Sequence, residues 1–320
     1  MLIGSRDIEE IFILTNKIKS PLDLYVDLRS RRIPNSDPDN LWGISHQNSD
    51  FEILNKNSIK KASVLSKEYK KELIAISLYC GACYPQDREY GLKAVEKASE
   101  LSDVVLNNTL ILRFLGGNVQ TIEQKKYAIK TIKYWLEHSQ KIYSKNGMKI
   151  IISIELHQGQ WPETINEALE LKKYLKKETS NYNLFGFIED PANRYIALED
   201  LQAFDNKKIF RLAGDIVYYH IKNVKKIGNT DVSTFNFQKL GDKYFNFRKS
   251  IFQWSDTPLK GDINLEKTIL ETFSKYNKKT MGFSIEHLPS TKNQNEAKKI
   301  AEDYISCING IITKIRGNND

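Results

Sequence analysis

Short runs of aliphatic, β-branched and aromatic residues recur along the chain. They fall at 22–29 (LDLYVDLR), 73–80 (LIAISLYC), 109–115 (TLILRFL), 149–156 (KIIISIEL), 184–190 (LFGFIED), 215–222 (DIVYYHIK) and 280–287 (TMGFSIEH). Between them lie segments whose apolar positions repeat at helical spacing: 5–18, 57–70, 87–106, 121–145, 163–178, a short one near 197–205, and 264–277, with a last one over 293–316. The runs are apolar on both faces, as strands are when helices cover both sides of a sheet. Strict alternation of strand and helix implies parallel pairing through right-handed crossovers. A doubly wound sheet would carry a glycine-rich phosphate loop after its first strand. The nearest such stretch, LGGN at 115–118, follows the third run. The pattern predicts a (β/α)8 TIM barrel over residues 1–320 as one domain. Its first strand is missing or very short, because helical spacing begins near Ser5 and only MLIG precedes it. An absent stave would leave edges for a partner chain or a loop to cover, so a homo-oligomer is compatible with the pattern.

The ends of the runs are less orderly than their middles. In IELHQG, Glu155 and His157 stand two apart and share one strand face. Asp190 ends the next run, His220 and Lys222 share a face at the end of the one after, and Glu286 closes the last. A parallel barrel gathers these ends at one mouth, bringing Glu155, Asp190, His220 and Glu286 together. Three carboxylates in one dry site repel one another, and a divalent cation removes that cost.

Composition trims the options. The chain has 320 residues, a net charge of +8 and three cysteines. Lysines are spread among glutamates, so the charge reads as a solvated surface and not as a nucleic-acid face. Cys80 and Cys83 form a lone CxxC followed closely by Pro85. Only Cys307 remains, too few for a second metal-binding pair or a disulfide framework. No apolar run is long enough to cross a bilayer, and the acidic N-terminus lacks the marks of a signal peptide, so a cytoplasmic location is expected.

Several of these stretches occur together in one known family. LILRFLGG (110–117), IELHQG (154–159), EDPANRY (189–195), YYHIKN (218–223), LKGDINLEKTILETF (259–273) and FSIEH (283–287) stand in the order found in the sugar phosphate isomerases/epimerases. These are xylose isomerase-like barrels in the same superfamily as endonuclease IV. The chain resembles that family from about residue 22 to its C-terminus. The resemblance implies that Glu155, Asp190, His220 and Glu286 bind one divalent cation and that Arg113, His157, Asn193 and Lys222 face a substrate. Two positions depart from the pattern: Asn223 stands where the family often has Asp, and Lys260 where a turn Gly is expected.

The resulting expectation is a metal-dependent isomerase or epimerase acting on a small sugar, keto sugar or polyol, phosphorylated or not, through an enediolate. A hard, oxygen-rich ligand set points to Mn²⁺, with Co²⁺, Mg²⁺ or Zn²⁺ as alternatives. Glu155, Glu286 and Lys222 are the candidate proton carriers. Trp161 and Trp254 fall in loops after strands, where a ring can stack on a sugar or wall a pocket. Arg29, Arg31 and Arg32 would suit an anionic group if their loop lies at the mouth. A keto-polyol dehydratase would use the same enolate and then expel a hydroxyl. An endonuclease IV-like phosphodiesterase fits less well, since Asn193 and not His lies three after Asp190 and the chain has five histidines. A non-catalytic barrel is the remaining alternative.

Overall fold

The computed structural model describes residues 2–5, 8–29, 56–198, 206–229, 244–248, 250–255, 258–273, 282–285 and 294–317. Eight parallel strands close into a barrel in the order β1-β11-β7-β6-β5-β4-β3-β2. They are β1 (Leu2–Ser5), β2 (Tyr25–Arg29), β3 (Leu73–Gly81), β4 (Thr109–Leu115), β5 (Lys149–Glu155), β6 (Phe185–Glu189), β7 (Ile216–Ile221) and β11 (Gly282–Ile285). The helices are α1 (Ile8–Lys17), α2 (Lys56–Tyr69), α3 (Pro85–Ala98), α4 (Ile122–Asn146), α5 (Ile165–Glu178), α6 (Pro191–Leu198), the single turn α7 (Asn206–Ile209), α8 (Leu265–Phe273) and α9 (Gln294–Gly317).

The first stave is present and short. It pairs on both sides, all four residues with β2 (Leu2 opposite Tyr25) and Leu2 and Ile3 with Ser284 and Ile285 of β11, so the alternative of a missing stave is set aside. Period-two alternation then sorts the side chains. Ala75, Ile111, Ile188 and Tyr218 form a small apolar cluster. Ser77, Arg113, Asp190 and His220 follow each of them by two residues on the same faces, one layer nearer the strand ends. The opposite faces, with Leu112, Phe114, Ile152, Ile154, Phe187 and Ile221, join the large core between strands and helices.

Helix boundaries follow local chemistry. Thr121 and Thr164 each form a capping box, with Gln124 and Glu167 respectively, and Gly147 ends α4 in the left-handed region at φ 73°.

The run predicted over 215–222 does not stop there. After Lys222 the chain continues as β8 (Asn223–Asn229), which with β9 (Tyr244–Phe247) and β10 (Ser250–Ser255) forms a separate antiparallel sheet in the order β8-β10-β9. The sequence reading missed this sheet. Its alternation (YFNFRKSIFQWS) is legible, but the turn between β9 and β10 carries Arg-Lys where a two-residue hairpin favours Asn-Gly.

Asn223 anchors the sheet to the barrel. Its Nδ2 donates to the carbonyls of Pro258 and Ile263, both at 2.8 Å, while its Oδ1 accepts from Val224 N, also at 2.8 Å. Gly261 packs so tightly against this amide that a Cβ there would lie 2.0 Å from Asn223 Oδ1. These contacts require an amide: aspartate could not donate to two carbonyls. Asn223→Asp is expected to lose on the order of 2–4 kcal/mol, as two buried acceptors go unpaired and a buried charge faces them. Chemical denaturation of the two proteins checks this.

Candidate metal centre at the barrel mouth

Glu155 is the last residue of β5, Asp190 the first after β6, and His220 the penultimate residue of β7. Each offers one donor atom, and these atoms lie within 4.8 Å of one another. All three residues are fully buried. Glu286, the fourth expected ligand, lies outside the described residues, as do Arg31 and Arg32; the side chain of Arg29 does too.

Local sequence explains how each candidate ligand is held. Asp190 is the N-cap of α6: its Oδ1 accepts from Asn193 N at 3.0 Å, and Pro191 occupies the first helical position. Asn193, one turn in, donates from Nδ2 to Glu155 Oε1 at 2.7 Å. That contact fixes the amide's orientation and leaves its Oδ1 buried with no hydrogen-bond partner among the described residues. His220 Nδ1 faces Glu155 Oε1 at 3.1 Å and Asp190 Oδ2 at 3.8 Å. Its Nε2 lies 3.3 Å from the Tyr218 hydroxyl, which can donate or accept and so suits either neutral tautomer.

The charge arrangement differs from the one expected. The two described carboxylates do not simply repel, because each has a cation of the chain's own. Arg113 donates from Nε to Glu155 Oε2, and its Nη2 pairs with the same oxygen. Lys222 Nζ lies 2.8 Å from Asp190 Oδ2 and 4.8 Å above the Trp254 ring. Arg113, expected to face a substrate, thus spends two donors on Glu155. This pairing is not legible in the sequence, since the partners are 42 residues apart.

His157 is buried beside this cluster but is not among the three converging residues. Its Nδ1 donates to the Gln158 carbonyl at 2.9 Å. Burial pushes its pKa down to about 4; nearby Glu155 opposes this in part, while Lys222 and Arg113 add to it. The neutral ring therefore presents Nε2 as an acceptor at ordinary pH. Trp161 lies against Gly116, where a Cβ would come 1.5 Å from the Trp161 carbonyl oxygen, and beneath Lys125 Nζ at 5.7 Å. Its contacts are those of a wall.

Other polar residues of the barrel escaped the sequence reading. Asp27 in β2 is fully buried and accepts from Ser77 Oγ and Ser284 Oγ, both at 3.1 Å. The signal was there, a lone carboxylate inside YVDLR. Glu189 and Arg194 pair at 2.9 Å. Burial raises the Glu189 pKa, and Arg194 pulls it back. The CxxC cysteines are buried thiols, with Cys80 donating to the Asp87 carbonyl at 3.3 Å.

The donor set fits a divalent cation. Two carboxylates and an imidazole converge, the imidazole is oriented by a phenol, and an amide oxygen with no partner among the described residues stands beside them.

No family model and no curated protein matches the chain. Solved structures do. A xylose isomerase domain protein from Planctomyces limnophilus superposes with a TM-score of 0.62 at 12% identity, over 99% of this chain and 98% of that one. A D-tagatose 3-epimerase-like protein gives 0.58 at 15% identity, over 98% of this chain and 100% of that one. The probable 3-DHS dehydratase AsbF of Bacillus anthracis gives 0.56 at 15% identity, over 96% of this chain and 98% of that one. The chain thus has the fold of the xylose isomerase-like isomerases and epimerases, over nearly its whole length.

The low His157 pKa makes stability pH-dependent. The unfolded chain binds a proton near pH 6.5 that the folded chain refuses until about pH 4, so stability rises with pH across that window. His157→Gln is expected to flatten the rise by up to ~3 kcal/mol, read as a smaller difference in unfolding free energy between pH 4 and pH 7.

Proposed function

We propose that the protein is a divalent-metal-dependent isomerase or epimerase of a small sugar, keto sugar or polyol. The observation that carries the reading is the convergence of Glu155, Asp190 and His220 within 4.8 Å at the strand ends of a closed barrel. Mn²⁺ suits this oxygen-rich set best, with Co²⁺, Mg²⁺ and Zn²⁺ as the other candidates, and Glu286 is the expected fourth ligand. When bound, the cation supplies Lewis-acid polarisation of a substrate carbonyl and its neighbouring hydroxyl.

The chain's own groups do the rest. Removing the proton α to a carbonyl gives an enediolate, and returning it to the neighbouring carbon or the opposite face gives the isomer or the epimer. Glu155 is held rigidly for this: one oxygen is fixed by Arg113, the other by Asn193 and His220. Glu155 and Glu286 are the proposed proton carriers. Lys222 is the third, poised between Asp190 and the Trp254 ring. His157, neutral and outside the ligand cluster, accepts a hydrogen bond from a substrate hydroxyl. Asn193 Oδ1 offers a second buried acceptor, and Trp254 and Trp161 wall the pocket.

Dehydration of a keto-polyol is the second reading, supported by the likeness to a probable dehydratase. It would start from the same proton abstraction and end with loss of a β-hydroxyl.

Two measurements test these readings. Calorimetry should give one tightly bound Mn²⁺ per chain, weakened at least a hundredfold in Asp190→Ala and His220→Ala; retention of tight binding in either variant refutes the ligand set. Incubation of the Mn²⁺-loaded protein with a panel of keto sugars in D₂O should place deuterium at the carbon α to a carbonyl. Exchange without a product lighter by one water supports isomerisation, and loss of water supports the lyase.

A further inference from the structure

Apart from Trp254, the three-stranded sheet has no role in the proposed chemistry, yet it is fastened at both ends to elements of the mouth. Strand β10 alone extends ~20 Å at ~3.3 Å per residue. At its barrel end, Trp254 lies beneath the Lys222 ammonium. At its far end, Arg248, in the turn between β9 and β10, reaches two other elements. Its Nη2 pairs with Glu163 Oε2 at 2.7 Å, and its Nη1 donates to the Ala197 carbonyl near the end of α6 at 2.8 Å. Glu163 in turn accepts from Gly159 N through its other oxygen at 3.0 Å. Both Glu163 and Gly159 belong to the loop between β5 and α5, which also carries His157 and Trp161. A third tie holds the sheet's flank: Asp262 Oδ2 accepts from Lys226 N at 2.7 Å and from the Tyr195 hydroxyl of α6 at 3.0 Å.

Arg248 occupies a costly position. Its φ of 50° lies in the left-handed region, which a hairpin turn normally fills with Asn or Gly. The contacts made by the guanidinium give a reason for arginine there.

We infer that Arg248 and Glu163 are positioning residues, a latch that fastens the sheet across the mouth to the loop carrying His157 and so sets how substrate is held. Only the identity of that substrate rests on the proposed function. An ordinary half-exposed ion pair would contribute little and would leave distant amides undisturbed. A latch couples them.

Amide hydrogen exchange followed by mass spectrometry tests this on the full chain. In Arg248→Ala, peptides covering 157–163 and 250–255 should exchange at least tenfold faster than in the wild type. Glu163→Gln should reproduce the effect in part, and Arg248→Lys should restore some protection because lysine can reach one acceptor but not both. Lys97→Ala, which breaks an exposed pair with Glu100 elsewhere, should change neither peptide. Mn²⁺ affinity should be the same in Arg248→Ala as in the wild type. With a turned-over keto sugar, KM should rise about tenfold while kcat stays within threefold. Unchanged exchange in folded Arg248→Ala, or an equal fall in kcat with KM unaltered, overturns the latch. Failure of the wild type to bind Mn²⁺ overturns the proposed function instead and leaves the exchange comparison standing.

Discussion

Burying two carboxylates side by side is the constraint on which the barrel mouth depends. Glu155 and Asp190 are both fully buried, and unpaired charges in such a place would cost far more than a domain's whole stability margin. The chain meets the cost with matched groups from different strands. Arg113 of β4 holds Glu155 of β5, Lys222 after β7 holds Asp190 after β6, and Asn193 and His220 fill the gap between them. Removing one partner from such a network is expected to cost more than the pair contributes, because it leaves the other charge stranded.

This network also gives the centre its chemical character. The three described candidate ligands are each oriented by the chain itself: Asp190 by its helix cap, Glu155 by arginine and amide, His220 by Tyr218. Preorganisation of this kind is what lets a polar site act without reorganising at the moment of reaction. Lys222 shares an Asp190 oxygen with the direction His220 faces, so the ammonium and the proposed divalent ion draw on the same acceptor. Metal affinity should therefore be tuned by that lysine as well as by the ligands. The antiparallel sheet adds an upper layer, bringing Trp254 against Lys222 at one end and Arg248 against the His157 loop at the other.

The barrel was legible because its signal is periodic and repeated. Two-sided apolar strands alternating with amphipathic helices survive an error of a few residues at any boundary, and the four-residue β1 matches one of the two alternatives for the first stave, missing or very short. The converging residues Glu155, Asp190 and His220 were legible because they punctuate successive strand ends. What lay hidden depends on partners far apart in the chain. Nothing near Arg113 announces Glu155, and Asp27 meets Ser284 across 257 positions. The extra sheet was missed for a local reason. Its turn residue Arg248 adopts a conformation that sequence rules assign to Asn or Gly, and the compensating contacts with Glu163 and Ala197 are tertiary.

Glu155, Asp190 and His220 are proposed to form one cation site. Crystals grown with Mn²⁺ and measured at the manganese absorption edge test it directly. A single strong anomalous peak is expected at the barrel mouth, at about 2.0–2.3 Å from a carboxylate oxygen of Glu155, a carboxylate oxygen of Asp190 and Nδ1 of His220. A mouth without anomalous signal, with Arg113 and Lys222 still paired to the two carboxylates, would contradict it.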